Sequence, residues 1–600
     1  MNNNETFARN YSDLNNPSVV SGSGSYAEYI LPTDNSMVST SIGTTVLISD
    51  NRDGKDIWMT GTVTEMKSIS PFIADRDIML YNRAGADDAS KILQELNGPH
   101  NEHRLIARIS IQSELIKDRQ GIFFQAPVQQ PASNSSRMLL PKMESDGSGM
   151  PTLKDILGLK DNGIRLGYVG AGNLPQVENG ELLQYYLDIE ELDNKHMFIV
   201  GESGSGKTVL LKKLAYEIRR LKSETYNPRV IMTDVQGDLL QLMMPNIISP
   251  IKRQGWQENE NIEMKETRDS LKQMGPFQLI YPVSNNNPDS LRTLSQIKTV
   301  IQDEGHTFCE VGLRLQDIEN VGEIEYLLRL SSEQAISVIE DEMDAMRLQG
   351  TTIKLDTLEN QIKRIINNAG DEKQLPTSSG VRYYKTTFQA VLRGLKELRK
   401  YFDHHNESLQ THENPLNCLM DFKGTSIFYL EHLDTEELIM WGMQLVKYLY
   451  ENKRKMEHSY IFIDEAHKLI PAKPPTAGKS GTFPRLRDNF ERLAREGRKY
   501  AINLILGTQS PRDLHQIVPQ QCPTKIVMKI DKSNAKSAQL EENESRIVTK
   551  FGQGQMFLKS PFNGTSEWIR LHSESPPVPH ESMTKFWAKL DAEAKRIALE

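Results

Sequence analysis

The pattern of hydrophobic and polar positions divides the chain into a β-rich region, an α/β region and a helix-rich segment within it. From about Tyr29 to Gln125, short apolar runs predict strands. Two of them, Thr45–Ser49 and Ile57–Val63, flank an Asp-Gly pair that favours a tight hairpin turn. From about Gly163, strand-like runs alternate with helical spacing, which is typical of a parallel sheet covered by helices. We expect a small β-barrel followed by an α/β domain.

Six apolar runs are the predicted strands of the α/β region: Met197–Val200, Val230–Thr233, Ser426–Leu430, Tyr460–Ile463, Asn503–Leu506 and Lys525–Ile530. Between about Ile251 and Cys418 the alternation stops, and segments such as Leu355–Ile366 carry helical spacing. That predicts a helical insertion. The expected segments are a flexible tail (1–26), the barrel (27–128), a linker and lead-in to the core (129–185), an α/β core in two parts (186–250 and 419–575), the insertion (251–418) and a C-terminal helix (576–600).

The length, the net charge and the apolar runs of the sequence bear on the number of domains, on nucleic-acid binding and on membrane insertion. The 600 residues are enough for several domains, and 71 Lys and Arg against 80 Asp and Glu give a net charge of −9. A nucleic-acid-binding protein usually carries a basic domain, but a few lysines lining a channel could still bind DNA. No apolar run approaches the ~20 residues that span a bilayer, and the first residues lack a signal-peptide pattern.

The three cysteines, Cys309, Cys418 and Cys522, are far apart in sequence and have no metal-ligand spacing. They therefore predict neither a zinc site nor a disulfide framework. A cytoplasmic protein in a reducing environment is expected.

The segment from Gly201 to Thr208, Gly-Glu-Ser-Gly-Ser-Gly-Lys-Thr, matches the phosphate-loop pattern in full, with an apolar strand before it and a helical stripe after it. Backbone N–H groups of such a loop and the helix N-terminus bind phosphate. Lys207 can reach the β- and γ-phosphates of ATP, and the Thr208 hydroxyl can ligate Mg²⁺. The predicted nucleotide-binding residues are Gly201, Ser203, Gly204, Ser205, Gly206, Lys207 and Thr208.

A second strand ends in two acids. Asp464 is expected to hold Mg²⁺ and to contribute to nucleotide binding, and Glu465 to polarise the attacking water. A third strand ends in Thr508 and Gln509, and Gln509 is the predicted γ-phosphate sensor, although an amide that caps the following turn is an equal alternative. We expect His467 to be a local structural contact.

Two arginines near the end of the preceding helix, Arg495 and Arg498, are candidates for a guanidinium offered to a neighbouring subunit's γ-phosphate. Cations in the last turn of a helix also suit its dipole without any function, and the sequence leaves both interpretations open. A Gly-Lys-Ser triplet at 478–480 lacks the strand and the first glycine of a phosphate loop. It predicts a basic surface loop, or alternatively a loop that faces DNA in a pore.

Taken in order, these motifs resemble the HerA family of hexameric DNA translocases, in the HerA/FtsK branch of RecA-like P-loop ATPases. The matching segments are the phosphate loop, Thr233-Asp-Val-Gln-Gly-Asp238, Ile463-Asp-Glu-Ala-His467, Ala494-Arg-Glu-Gly-Arg-Lys499 and Leu506-Gly-Thr-Gln-Ser-Pro511. The resemblance implies a RecA-like core with an N-terminal small β-barrel and a helical insertion. Lys207, Thr208, Asp464, Glu465 and Gln509 would take the nucleotide roles, and Arg495 or Arg498 would act in trans.

The resemblance also implies partners. These are a homo-hexamer with ATP and Mg²⁺ at its interfaces, double-stranded DNA through the ring, and an effector docked on the barrel. The effector would be a nuclease such as NurA, or a sirtuin-like NAD-consuming enzyme or another protein of bacterial antiphage defence. Two functions stay open: an ATP-driven translocase or helicase, and a nucleotide-responsive scaffold ring that only assembles and restrains its effector. A transport pump of the same superfamily is disfavoured because no membrane segment is predicted.

Overall fold

A computed structural model of the chain describes two compact units, residues 1–189 with 524–574, and residues 190–523 with 575–600. The described residues are 19–22, 26–31, 43–52, 54–69, 104–117, 119, 123–133, 136–139, 149–157, 159, 162–171, 174–175, 177–178, 181–188, 195–252, 257, 262–284, 288–330, 332–403, 414–472, 482–560 and 565–599. Most of the predicted tail, and positions 473–481 of the predicted basic loop, lie outside them.

The strands, numbered in chain order, are β1 Val19–Gly22, β2 Tyr26–Leu31, β3 Thr45–Arg52, β4 Lys55–Ile69, β5 Arg104–Lys117, β6 Phe123–Ala126, β7 Arg137–Leu139, β8 Ile164–Ala171, β9 Leu174–Pro175, β10 Val177–Glu178, β11 Glu181–Leu182, β12 Gln184–Leu187, β13 Met197–Val200, β14 Arg229–Asp234, β15 Phe277–Pro282, β16 Thr307–Val311, β17 Gln374–Pro376, β18 Arg382–Tyr384, β19 Thr425–Tyr429, β20 Ser459–Ile463, β21 Ile502–Thr508, β22 Thr524–Val527, β23 Gln555–Ser560 and β24 Thr565–His572.

The α-helices are α1 Leu153–Leu157, α2 Lys207–Arg220, α3 Met264–Met274, α4 Pro288–Asp303, α5 Glu325–Leu328, α6 Glu333–Leu348, α7 Leu355–Asn368, α8 Lys385–Leu398, α9 Asn417–Asp421, α10 Thr435–Glu451, α11 Ala466–Leu469, α12 Thr482–Glu496, α13 Ile517–Gln521, α14 Lys532–Ala535, α15 Glu542–Val548 and α16 Met583–Leu599. Short 3₁₀ turns at 240–243, 315–317, 321–323, 453–455 and 497–500 complete the elements. Among the described helices, none is long and apolar enough to cross a membrane.

The first unit is built from antiparallel strands. Its N-terminal sheet has the order β1-β2-β5-β4-β3-β7, with β6 also paired to β5. Alternate side chains of these strands, including Tyr29, Ile48 and Ile109, share one buried core, as the period of two along a strand requires. The predicted hairpin is confirmed, because Arg52 pairs with Lys55 across the turn. A second antiparallel sheet of this unit joins β12, β8, β24, β23 and β22 in that order.

The second unit contains a parallel sheet of seven strands in the order β13-β21-β20-β14-β19-β15-β16. Every residue of β13, β14, β19, β20 and β21 is buried, which explains why these strands are almost continuously apolar in the sequence. The mixed α/β fold expected from the sequence is confirmed. The strand order places β21 between β13 and β20, and this adjacency sets up the functional site.

Two predictions about these elements were wrong. The α/β alternation does not stop at Ile251, because β15 and β16 extend the parallel sheet beyond β19. The run of helices begins only after Val311, with α5 to α8 and the small β17–β18 hairpin. The run at Lys525–Ile530 ends its strand at Val527 and pairs antiparallel with β23, in the first unit.

The C-terminal segment of the second unit packs against residues near the phosphate-loop helix. Lys212 on α2 is fully buried and donates from Nζ to the Pro579 carbonyl (3.0 Å). Gln241 and Glu581 exchange two hydrogen bonds, of 2.9 and 2.8 Å, between side chain and backbone. Within the segment 576–600, predicted as a C-terminal helix, Met583–Leu599 form α16, whose Asp591 accepts a hydrogen bond from Gln296 on α4.

Candidate functional site

The site lies at the carboxyl ends of three neighbouring parallel strands. The phosphate loop follows β13, Asp464 and Glu465 follow β20, and Thr508 ends β21, which pairs with both of the others. Ligands of open parallel sheets bind at this edge. The backbone also joins two of these segments, because the Gly201 N–H donates to the Thr508 carbonyl (3.2 Å). Motifs far apart in the sequence are therefore brought together as predicted.

The phosphate loop has the backbone that its sequence requires. Gly204 (φ 78°) and Gly206 (φ 99°) lie in the left-handed region, which glycine adopts without a steric penalty. A Cβ at Gly204 would meet no atom within 4 Å, so the loop is open at that point. Gly206 caps α2, whose 14 residues carry a buried apolar stripe that includes Leu210, Leu214 and Ile218. The loop thus presents backbone N–H groups at the N-terminus of an anchored helix.

Lys207 joins the phosphate loop to both carboxylates. Its Nζ lies 2.5 Å from Asp464 Oδ1 and 2.6 Å from Glu465 Oε1, and all three side chains are buried. Burial alone would lower the pKa of Lys207, but the charges and hydrogen bonds of the two carboxylates raise it above its ordinary value. The lysine is therefore a cation held by two anions.

Glu465 is fixed by an unusual backbone and by four donors. Its φ of 54° lies in the left-handed region, which costs a non-glycine residue about 1 kcal/mol or more. Oε1 accepts from Lys207 and from Gln236 Nε2 (3.2 Å), and Oε2 lies 3.2 Å from the Gln509 N–H and 3.3 Å from His467 Nδ1. Burial would raise the pKa of Glu465, but the hydrogen bonds of His467 and Lys207 and the lysine's charge lower it to about 2.

The end of β21 reaches the glutamate directly through Gln509 and indirectly through His467. The backbone N–H of Gln509 donates to Glu465, whereas Thr508 Oγ1 lies 3.0 Å from His467 Nδ1 and accepts a hydrogen bond from the Ser510 N–H (3.1 Å). His467 Nδ1 thus faces both Thr508 and Glu465. The interpretation of His467 as a structural contact is refined, since the residue that it contacts is the candidate catalytic glutamate.

Sequence reasoning missed Gln236, which lies in the loop after β14. Asp234 shapes this loop by accepting hydrogen bonds from the Gly237 N–H (2.8 Å) and the Leu240 N–H (2.7 Å), and Gly237 adopts a φ of 84°. The turn directs the Gln236 amide to Glu465. The adjacency of β14 to β20 could have indicated that a polar side chain after β14 would reach the acids.

The two candidate arginines differ in their surroundings. Arg495, in the last turn of α12, has 61% of its side chain exposed and forms an ion pair with Glu491 one turn away. Arg498 is partly buried, and its guanidinium donates to the backbone carbonyl of Gln521 in the same chain. An exposed ion pair is weak, so the guanidinium of Arg495 can leave Glu491 and bind another molecule. Arg498 fastens the end of α12 to the end of α13.

Comparison with known proteins identifies the central part of the chain. The family described as "Helicase HerA, central domain" matches residues 169–444, which include the phosphate loop and Asp234 but end before Asp464. A protein of Methanocaldococcus jannaschii named as a probable helicase is 23% identical over 178 residues, 28% of this chain and 33% of the relative. The DNA double-strand break repair helicase HerA of Sulfolobus acidocaldarius is 31% identical over 100 residues, 16% of this chain and 19% of the relative.

Among solved structures, VirB4 of Thermoanaerobacter pseudethanolicus aligns over 70% of this chain and 98% of its own, with 14% identity and a TM-score of 0.42. The chain spans a third or less of the length of the two curated relatives described above. The HerA profile covers a segment with an intact phosphate loop on a parallel α/β sheet. The central part of the chain, residues 169–444, is thus similar to the central domain of the helicase HerA, and it contains the phosphate loop of a P-loop ATPase.

Proposed function

We propose that this chain is an ATP-hydrolysing, ring-forming DNA translocase or helicase that works with a partner effector. The observation that carries the proposal is the contact of Lys207, from the phosphate loop, with both Asp464 and Glu465. A protein that only bound nucleotide would need the loop and lysine, but not a buried second carboxylate held by four donors. The names of the two curated relatives, a probable helicase and the DNA double-strand break repair helicase HerA, support the DNA-handling part.

The residues present fit ATP with Mg²⁺. Ser205 Oγ and Asp464 Oδ2 are buried, and neither has a hydrogen-bond partner among the described residues. Buried polar atoms without partners are costly, and both atoms belong to the segments that would surround a bound phosphate. Thr208 and Asp464 are the proposed ligands of Mg²⁺, which would neutralise charge on the β- and γ-phosphates. The loop glycines, Ser203 and Ser205 would hold the phosphate oxygens.

The low pKa of Glu465 bears on its role. A carboxylate with a pKa of about 2 is a weak proton acceptor, so we propose that it orients the attacking water by accepting a hydrogen bond. A phosphate oxygen offers Lys207 another acceptor. When the lysine turns to it, Glu465 loses one donor and a nearby positive charge, which raises the pKa of the carboxyl and strengthens it as a base. Gln236, His467 and the Gln509 N–H would keep it in place.

Arg495 is the proposed guanidinium supplied to a neighbouring subunit in a ring, since Arg498 is already bonded within its own chain. The ring of six, the passage of duplex DNA, the docking of an effector on the N-terminal β region and a role in antiphage defence are proposals that rest on the family resemblance. The scaffold ring remains the second candidate, favoured by the net charge of −9.

Two substitutions separate nucleotide binding from hydrolysis. Lys207→Ala should abolish ATP turnover, because the phosphates lose their cation. Glu465→Gln should bind ATP yet hydrolyse it at least ~100-fold more slowly, the scale expected when a positioned acid–base group is lost. Phosphate release and binding of a fluorescent ATP analogue are the two measurements.

The matched controls are two exposed residues close to the same elements, Lys468→Ala and Glu457→Gln, which should behave as wild type. Normal binding and hydrolysis in Lys207→Ala would remove the phosphate-loop assignment. A wild-type hydrolysis rate in Glu465→Gln would show that another residue orients the water.

A further inference from the structure

A buried histidine ties the last turn of α12, the helix that carries Arg495, to the parallel sheet. His196 immediately precedes β13 and is fully buried. Its Nε2 lies 2.7 Å from the Ala494 carbonyl on α12, and its Nδ1 accepts a hydrogen bond from the Leu504 N–H on β21 (3.0 Å). One imidazole ring therefore joins the end of a helix to two neighbouring strands of the sheet.

The hydrogen bonds of His196 define its tautomer. Because Nδ1 accepts from a backbone N–H, the proton of the neutral ring is on Nε2, which donates to the Ala494 carbonyl. Burial lowers the pKa of His196 to about 4, although the bond to Ala494 opposes this shift, so the ring is neutral at neutral pH. Both ring nitrogens thus bind backbone groups of the same chain.

The acceptor of this bond is the residue before Arg495. Ala494 is buried, whereas the side chain of Arg495 is 61% exposed. The last carbonyls of an α-helix have no partner within the helix, and a donor from elsewhere in the fold fixes the position of the last turn. The bond from His196 therefore fixes the backbone from which the Arg495 guanidinium extends.

The same turn is also held on the other side of Arg495. The carboxylate of Glu496 accepts hydrogen bonds from the Tyr450 hydroxyl (2.8 Å) and from Lys453 Nζ (2.7 Å), at the end of α10 and just after it. The residues before and after Arg495 are thus both fastened within the chain. An exposed guanidinium on a fixed turn suits a residue that has to reach a neighbouring molecule at a defined place.

We infer that His196 is a positioning residue for Arg495, which it holds where the guanidinium can reach the nucleotide of a neighbouring subunit. The inference rests on the proposed function, since it requires ATP at an interface between subunits. A guanidinium stabilises the charge of a transferred phosphoryl group only where its N–H groups meet the phosphate oxygens, and a displacement of about 1 Å can cost on the order of 100-fold in rate. His196 acts through the backbone of Ala494 and touches neither ATP nor the attacking water.

The test compares two amide substitutions of His196. The shorter amide of His196→Asn can still accept from the Leu504 N–H but does not reach the Ala494 carbonyl, whereas His196→Gln has a donor at about the reach of Nε2. ATP turnover of His196→Asn should fall at least ~10-fold, with binding of a fluorescent ATP analogue unchanged, because its own phosphate loop is intact. His196→Gln should retain most of the turnover.

Subunit mixing separates a positioning role from a structural one. Mixed with Lys207→Ala subunits, His196→Asn should regain part of its turnover, because its intact phosphate loop meets a well-placed Arg495 from the other subunit. In an Arg495→Ala background, His196→Asn should cause no further loss of turnover. The matched control, His306→Asn, removes a contact between a histidine Nε2 and the Met243 carbonyl (3.0 Å) and should leave turnover near the wild-type rate.

Several results would overturn the inference. If His196→Asn does not fold, loses ATP binding, or is not rescued by mixing while Arg495→Ala is rescued, the histidine is a structural residue and the proposed function stands. If neither variant is rescued, the arginine does not act in trans, and that part of the proposed function fails together with the inference. Equal turnover of the folded Asn and Gln variants would show that the bond to the Ala494 carbonyl does not matter.

Discussion

Lys207 is the central residue of the site, because its one ammonium group forms ion pairs with two buried carboxylates. The ammonium group can donate either to these carboxylates or to a phosphate oxygen, so binding of phosphate would change its partners. In the proposed mechanism, Lys207 would donate to a phosphate oxygen, and Asp464 and Glu465 would then lose its counter-charge when they are to bind Mg²⁺ and orient a water. Nucleotide binding and activation of the two acids would thus be linked through one side chain.

A prediction at the residue scale separates the two arginines. Arg495→Ala should abolish most ATP turnover of the ring, and mixing it with Lys207→Ala subunits should restore part of it. Rescue is expected because a mixed interface pairs an intact Arg495 from one subunit with an intact phosphate loop from the next. ATPase activity across a series of mixing ratios is the measurement.

Arg498→Ala is the matched control. Its guanidinium bonds to the Gln521 carbonyl, so we expect a loss of thermal stability and no rescue of turnover by mixing. Rescue by Arg498→Ala but not by Arg495→Ala would reverse the assignment.

Only those site residues that belong to a local sequence motif could be predicted from the sequence. The phosphate loop and the acid pair each stand in a local pattern, and their meeting follows from parallel strands that share one edge. Gln236 could not be selected in this way, since its role depends on the turn that Asp234 forms. The choice between Arg495 and Arg498 depends on Gln521, a partner that no local pattern indicates.

At the scale of elements, α2 is held at both ends. Its N-terminus is the phosphate loop, and near its C-terminus the buried side chain of Arg219 donates to the carbonyls of Met274 (3.1 Å), Gly275 (3.1 Å) and Pro228. These carbonyls lie just before β15 and β14. One guanidinium therefore fixes the helix to the loops that enter two strands of the sheet.

Arg219→Lys should lower the free energy of unfolding by at least ~2 kcal/mol, because a single ammonium cannot satisfy carbonyls in three directions and an unpaired buried acceptor costs about 1–3 kcal/mol. The neighbouring Arg220→Lys is the control. Its side chain is 39% exposed and pairs with Glu217, so a change within about 0.5 kcal/mol is expected. Denaturant unfolding of both variants checks this, and equal stabilities would show that Arg219 does not fasten the helix.

The sequence predicted the central strands better than those at the edge of the sheet. Buried strands such as β20 are short continuous apolar runs, which are easily recognised in the sequence. Strand β16 lies at the edge, is only partly buried and includes Glu310, which pairs with Lys298 (2.6 Å). Pro282 ends β15, and a proline lowers the strand signal although the last position tolerates it. The sequence pattern therefore places these two strands within the predicted helical insertion.

At the scale of the whole molecule, the parallel sheet belongs to the second unit, and the two large antiparallel sheets belong to the first. The sequence could not predict this division into units. The local pattern at 525–530 indicates a strand, but it does not show that the strand pairs antiparallel with β23. The net charge of −9 does not exclude DNA binding, because a ring would bind duplex through the few side chains that face it.

The most direct measurement is steady-state ATP hydrolysis with and without linear duplex DNA, at low and at moderate salt, with Lys207→Ala as the background. If the chain is a DNA motor, duplex should stimulate turnover strongly, and the stimulation should fade with salt because phosphate contacts release counterions. Measurable turnover that is indifferent to duplex at both salt concentrations would contradict the motor and favour the scaffold ring.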